Sequence, residues 1–175
     1  QRRKGVYASQ YLTPDRTACQ MAALAVRYFD NDSRIVDACC GTGQLTRALL
    51  LEGVHPSALL GFDADAELVD LYERLYPETA ALRMQFHEID FRCENVIANP
   101  PFEIVECVYF MQWLSRTQCS GDWAVLLLSY GFIDKQRPKA VQETMRHFII
   151  HHRTPMQEPF ARTACRAEIV VVERA

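Results

Sequence analysis

No stretch of the 175-residue chain stays apolar for the roughly 20 residues that a membrane-spanning helix needs, and no signal-peptide pattern opens it. Charge excess is missing too. Against 22 Asp and Glu stand 19 Lys and Arg, a net charge of −3, so the whole-chain field does not announce a polyanionic partner. The seven cysteines, at 19, 39, 40, 93, 107, 119 and 165, form no C-x-x-C pair and no metal-ligand cadence. Their odd number argues against a disulfide framework, and they read as reduced thiols of a cytoplasmic protein, mostly buried as small apolar groups. His151 and His152 are adjacent and would point apart on a strand, so no metal is expected. Internal repeats and a dividing linker are also lacking. That leaves one domain over residues 1–175, with 1–13 as an N-terminal tether.

What is present is an ordinary globular composition. At 49% apolar and 23% charged residues, the chain is too hydrophobic for a disordered tail and sufficient for a sizeable core. The charge is unevenly placed: residues 135–175 carry eight Lys or Arg and four Asp or Glu, net +4, which leaves −7 for the remainder. If a polyanion is bound, this quarter faces it, with Lys135, Arg137, Lys139, Arg153, Arg162 and Arg166 as phosphate contacts or simply as solvated charges. The first residue is Gln1, as expected of a piece trimmed from a longer protein.

Strand and helix signals alternate. Thr13-Pro14-Asp15 is a helix start, with a hydroxyl N-cap and proline at the first helical position, and the helix runs to about Tyr28. Strands are predicted at 34–38, 58–62, 84–89, 95–98 and 123–129, with helices at 44–51, 66–76, 104–115 and 139–146. Such alternation implies a parallel sheet with right-handed crossovers and helices on both faces. Segments 147–152 and 167–173 then follow without a helix between them, so the last pair is expected to be antiparallel.

The chemistry gathers at the ends of the predicted strands. The first ends in Asp37-Ala38-Cys39-Cys40-Gly41-Thr42-Gly43 and a helix opens at once. Gly41 and Gly43 let the backbone turn tightly and approach a ligand above a helix N-terminus; Thr46 stands where a dinucleotide fingerprint would carry its third glycine. Asp63 ends the second strand about 20 residues later, where an acid takes ribose hydroxyls, or else serves only as a helix cap. Asp90 and Phe91 close the third, suited to a nucleobase amino group and its ring. Asn99-Pro100-Pro101-Phe102 follows the fourth. There the Asn99 oxygen and the Pro100 carbonyl can accept both hydrogens of one planar NH2 group, which frees its nitrogen lone pair to attack, while Phe102 stacks on the ring. Tyr130-Gly131, after the fifth strand, places Tyr130 beside the same cleft.

With these segments in hand, the chain from Tyr11 to Glu173 resembles the S-adenosylmethionine-dependent DNA adenine-N6 methyltransferases. Tyr11-Leu12-Thr13-Pro14 is similar to their Y-x-T-P element, and Asp37–Gly43 to their D-P-x-C-G-T-G loop with Ala38 in place of proline. Asn99–Phe102 is similar to the N-P-P-[YFW] tetrapeptide, and the order of elements matches the γ arrangement. The resemblance implies a Rossmann-like class I fold, mainly parallel and seven-stranded with a C-terminal antiparallel hairpin strand. It implies S-adenosylmethionine as cofactor, held at Tyr11, Thr13, Asp37, Cys39, Gly41, Gly43, Asp63, Asp90 and Phe91. Asn99, Pro100, Pro101 and Phe102 become catalytic residues, and Phe160 joins Phe102 in sandwiching a flipped adenine of DNA. The same tetrapeptide serves RNA adenine and protein glutamine methylation, and a silent cofactor-binding subunit of a modification complex is a further alternative. No target-recognition region follows the last strand, so base reading is expected from a separate domain, a partner subunit, or not at all.

Overall fold

The computed structural model describes residues 12–30, 32–135, 138–158, 160 and 165–175. Helices α1 (Asp15–Tyr28), α2 (Gln44–Leu51), α3 (Ala66–Leu75), α4 (Ile104–Thr117) and α5 (Lys139–Met145) surround one seven-stranded sheet. Its strands are β1 (Ile35–Ala38), β2 (Leu59–Asp63), β3 (Ala80–Arg83), β4 (Asn95–Ala98), β5 (Trp123–Ser129), β6 (Phe148–Pro155) and β7 (Ala167–Arg174). Their order across the sheet is 3-2-1-4-5-7-6. Strands β1 to β5 run parallel, and β7 inserts antiparallel between β5 and β6, as the missing final helix required.

Burial on two faces explains the continuous apolar runs of the central strands. Along β5, Ala124, Leu126 and Leu128 enter one core with Trp113 and Phe110 of α4, while Val125 and Leu127 enter the other with Met21 and Ala25 of α1. Strand β7 divides the same way, Val170 and Val172 against Ile169 and Val171. The order in which the chain adds strands across the sheet reverses between β1 and β4, and a crevice opens above the carboxyl ends of strands at such a point.

Two elements differ from the sequence reading. The third strand is Ala80–Arg83, paired with β2 from Leu60↔Ala80 to Asp63↔Arg83, and residues 84–89 are not a strand. After the Met84 N–H donates to the Asp63 carbonyl (3.0 Å), the chain turns: the Gln85 N–H donates to the Glu88 carboxylate (2.7 Å) over a short 3-10 turn at Phe86–Glu88. The apolar periodicity of this stretch comes from Phe86 packing against Phe110 and Trp113, with ring centroids 5.4 and 6.0 Å away. The first helix begins at Asp15, with Pro14 as the flanking residue and no side chain capping it. Among the cysteines, Cys40, Cys93 and Cys107 are buried, whereas Cys19, Cys119 and Cys165 are exposed, fewer buried than composition suggested. Among the described residues no helix is long and apolar enough to cross a membrane.

Candidate active site

A crevice of about 720 Å³ lies over the carboxyl ends of β1, β2 and β4. Its walls are the loop Cys39–Gly41, the segment Asp63–Asp65, the turn Met84–His87 and the tetrapeptide segment Asn99–Pro101, with Leu12 and Thr13 on one side and Tyr109 of α4 on another.

The glycine loop needs its unusual backbone. Cys39, Gly41 and Gly43 have φ of 58°, 53° and 82°, the left-handed region. A Cβ on Gly43 would collide with the Tyr76 ring and lie 3.0 Å from Tyr72, so glycine is required there twice over. Nothing lies within 4 Å of the place a Gly41 Cβ would take, which leaves its backbone open to a ligand. The Gly41 N–H donates to Asp63 Oδ2 (2.9 Å), and Asp63 Oδ1 accepts from the Asp65 N–H (3.0 Å). Helix α3 is capped by Asp65, whose carboxylate accepts from the Glu67 N–H (2.9 Å), so Asp63 is not the helix cap. Each Asp63 oxygen uses one lone pair on the backbone and keeps acceptor capacity toward the crevice.

Asp37 does not line the crevice. It is fully buried behind the loop, where its Oδ2 accepts from the Thr46 N–H (3.0 Å) and the Thr46 hydroxyl (2.7 Å). Burial pushes its carboxyl up to about 7, opposed by the two Thr46 bonds and reinforced by the charge of Asp63. Thr46, which the sequence offered only as a missing glycine, proves to be the partner of Asp37.

On the other wall, the Asn99 side-chain N–H donates to Thr13 Oγ1 (3.1 Å), and Thr13 is 6% exposed. The carboxamide nitrogen is thereby turned toward α1, which orients Oδ1 as the acceptor end. This is what the Thr13 hydroxyl does in place of capping α1. Phe102 lies outside the lining: its ring meets that of buried Phe160 edge-on, centroids 5.3 Å apart and planes at 63°. The structure thus brings Thr13, Cys39, Gly41, Asp63, Asn99, Pro100 and Pro101 to one crevice and pairs Phe102 with Phe160 beside it.

It does not bring Asp90 and Phe91 there. The strand that was to present them ended at Arg83, so the carboxyl edge carries Met84–His87. Phe91 lines a separate small depression with Arg34 and Glu94, which precede β1 and β4 at the opposite edge of the sheet. Asp90 is exposed and outside the crevice lining. Tyr130 is exposed and is not part of that lining either. Tyr11, Arg137 and Arg162 fall outside the described residues. Arg153 is engaged within the protein, its guanidinium bonding Asp134 and the buried Glu168 at 2.7–3.0 Å, which removes it from the candidate phosphate contacts. Sequence reasoning also missed Gln85, Phe86 and His87, whose only signal was the Gln85-to-Glu88 spacing of a capping box.

The donor set fits S-adenosylmethionine: an acceptor-only carboxylate for ribose hydroxyls, a left-handed glycine loop for close approach, and room above both. Comparison with known proteins agrees. A candidate RNA methyltransferase from Pyrococcus horikoshii superposes with a TM-score of 0.75 at 20% identity, over 99% of this chain and 89% of its own. A candidate class I S-adenosylmethionine-dependent methyltransferase from Listeria monocytogenes gives a TM-score of 0.77 at 19% identity, over 98% of this chain and 63% of its own. The magnesium protoporphyrin IX methyltransferase of Synechocystis PCC 6803, which was solved with S-adenosylmethionine bound, gives 0.70 at 14% identity, over 92% and 79%. No curated protein matches the chain. The methyltransferase-domain family matches residues 35–131, more than half of the chain, and with the S-adenosylmethionine-dependent class I fold around that match the chain belongs to this family of methyltransferases.

Proposed function

We propose that the protein transfers a methyl group from S-adenosylmethionine to the N6 amino group of adenine in DNA. The observation that carries this reading is the Asn99–Thr13 hydrogen bond of 3.1 Å beside the crevice. With its nitrogen engaged by Thr13, the Asn99 carboxamide offers its oxygen, and the Pro100 carbonyl is the second acceptor for one NH2 group. Accepting both hydrogens reduces conjugation of the amino nitrogen with its ring and aims the lone pair outward. When bound, the cofactor supplies a methyl group on a positively charged sulfur whose departure as a neutral thioether needs no acid, and the methylated nitrogen, cationic after the transfer, then releases one of its two protons to solvent. The protein's own part is positioning and electrostatics. Lining the crevice, Asp63 would accept from the ribose hydroxyls, the Gly41 loop would fix the distance, and Gln85 and Phe86 would flank the cofactor's base in the place first assigned to Asp90 and Phe91.

The aromatic pair supports a substrate ring that must be admitted. A flat base between two rings needs about 7 Å, two van der Waals spacings, and the centroids stand 5.3 Å apart, so Phe102 and Phe160 part to receive it. Stacking of roughly 1–3 kcal/mol per base then offsets the cost of unstacking a flipped nucleotide.

The test is incubation with methyl-labelled cofactor and separate DNA, RNA and protein pools. Label on DNA adenine supports the proposal. Label on RNA adenine or on a glutamine amide replaces the substrate while keeping the Asn99 chemistry. Cofactor binding without transfer to any pool replaces the enzyme by a silent subunit.

A further inference from the structure

We propose that Thr46 and Tyr72 are positioning residues of the cofactor loop, and that through Asp37 they set the pH at which the loop accepts S-adenosylmethionine. The inference rests on the crevice holding that cofactor and is independent of the methyl acceptor.

The start of α2 lacks a capping side chain, because its flanking residue is Gly43. Asp37, nine residues before Thr46 on β1, supplies the missing acceptor to the Thr46 N–H. It also accepts from the Thr46 hydroxyl, so the single hydroxyl proton of Thr46 is committed to Asp37 Oδ2. The 2.8 Å contact between Thr46 Oγ1 and the Tyr72 hydroxyl must then have the phenol as donor. Tyr72 is fully buried and its phenol is pushed up by burial, so it keeps that proton. The chain runs one way, from Tyr72 to Thr46 to Asp37. The Tyr72 ring also closes against Gly43 of the loop and Gly61 of β2, since a Cβ on Gly61 would lie 2.8 Å from it and one on Gly43 3.0 Å.

Asp37 Oδ1 is buried and has no hydrogen-bond partner among the described residues. Ionised, it carries an unsolvated charge; protonated, it no longer holds Thr46 with a full carboxylate. The groups facing it are Asp63 of β2, the thiols of Cys39 and Cys40, and the phenols of Tyr72 on α3 and Tyr76 just after it, while Arg47 of α2 acts on Tyr76. Apart from Arg47 these are acids. S-adenosylmethionine carries a sulfonium, an ammonium and a carboxylate; its net positive charge favours ionised Asp37, and by linkage ionised Asp37 favours the ligand. Affinity therefore rises with pH through the Asp37 transition, near 7. Taking away the Thr46 hydroxyl removes a bond that holds Asp37 ionised, so its transition moves upward.

Calorimetric titration with S-adenosylmethionine across the neutral range tests this in the intact protein, Thr46→Val, Thr46→Ser and Tyr72→Phe. All four share the cofactor's own titration, so differences between their curves report the protein. Thr46→Val is expected to raise the midpoint by about one pH unit, which is about tenfold in Kd on the acid side. Thr46→Ser restores the midpoint, and Tyr72→Phe gives a smaller rise. A Thr46→Ser curve displaced as far as that of Thr46→Val, or a Tyr72→Phe midpoint equal to that of the unaltered protein, overturns the proposal. The second comparison decides even if Thr46→Val does not fold.

Discussion

Replacing Thr13 by valine separates two roles that one residue can have. Valine keeps the volume and the branched shape and deletes the oxygen that accepts from Asn99 at 3.1 Å. A neutral hydrogen bond of this kind contributes about 1 kcal/mol, and its loss removes that much of the bias toward the carboxamide orientation with Oδ1 outward. The flipped form points NH2 at the substrate's NH2, donor against donor, and is unproductive. At roughly 1.4 kcal/mol per tenfold in rate, the expected fall in kcat is about fivefold to tenfold. The Kd for S-adenosylmethionine should stay within about twofold, because Asp63 and the Gly41 loop are untouched and twofold is only about 0.4 kcal/mol. Thr13→Ser should recover most of the rate. Single-turnover methylation of an adenine-containing DNA, with Kd measured separately by calorimetry, reads both numbers. A large rise in Kd with kcat unchanged would refute the orienting role and return Thr13 to the cofactor contact that the Y-x-T-P resemblance assigned to it.

Two further outcomes follow from the same geometry. Asp63→Ala deletes the acceptors for ribose hydroxyls and the tether on the Gly41 N–H, so cofactor affinity should drop about tenfold to a hundredfold, given 1.5–3 kcal/mol for bonds to a charged group; an unchanged Kd would remove Asp63 from the site. Gly61→Ala puts a Cβ 2.8 Å from the Tyr72 ring, which is fully buried and cannot retreat, so urea unfolding should show a loss of about 1–3 kcal/mol, and unaltered stability would mean that Tyr72 is not wedged there.

How much of this was legible in the sequence depends on the reach of each interaction. Strand β5 announced itself as Ala124–Leu128, a run long enough to be buried on both faces, and the loop Cys39–Gly43 was visible because its constraint is local backbone conformation. Strand β3 was not. Ala80-Ala81-Leu82-Arg83 has little β preference, with its two inner positions half-buried and its two ends exposed, and it pairs with β2 because α3 delivers it there. The more apolar stretch Met84–Ile89 imitated a strand while a turn pinned Phe86 under α4. That error carried Asp90 and Phe91 to the wrong edge. The Thr13–Asn99 bond spans 86 residues and has no sequence signature, and the Asp37–Thr46 bond leaves only a threonine where a glycine was sought. The aromatic pair was foreseen as two faces for a base, but without a base the two rings bury their edges in each other.

The measurement closest to the central claim is mass-spectrometric nucleoside analysis of DNA from cells producing the active protein or its Asn99→Ala form. The account predicts N6-methyldeoxyadenosine with the former and none with the latter. Equal amounts in both, or none in either, would contradict it.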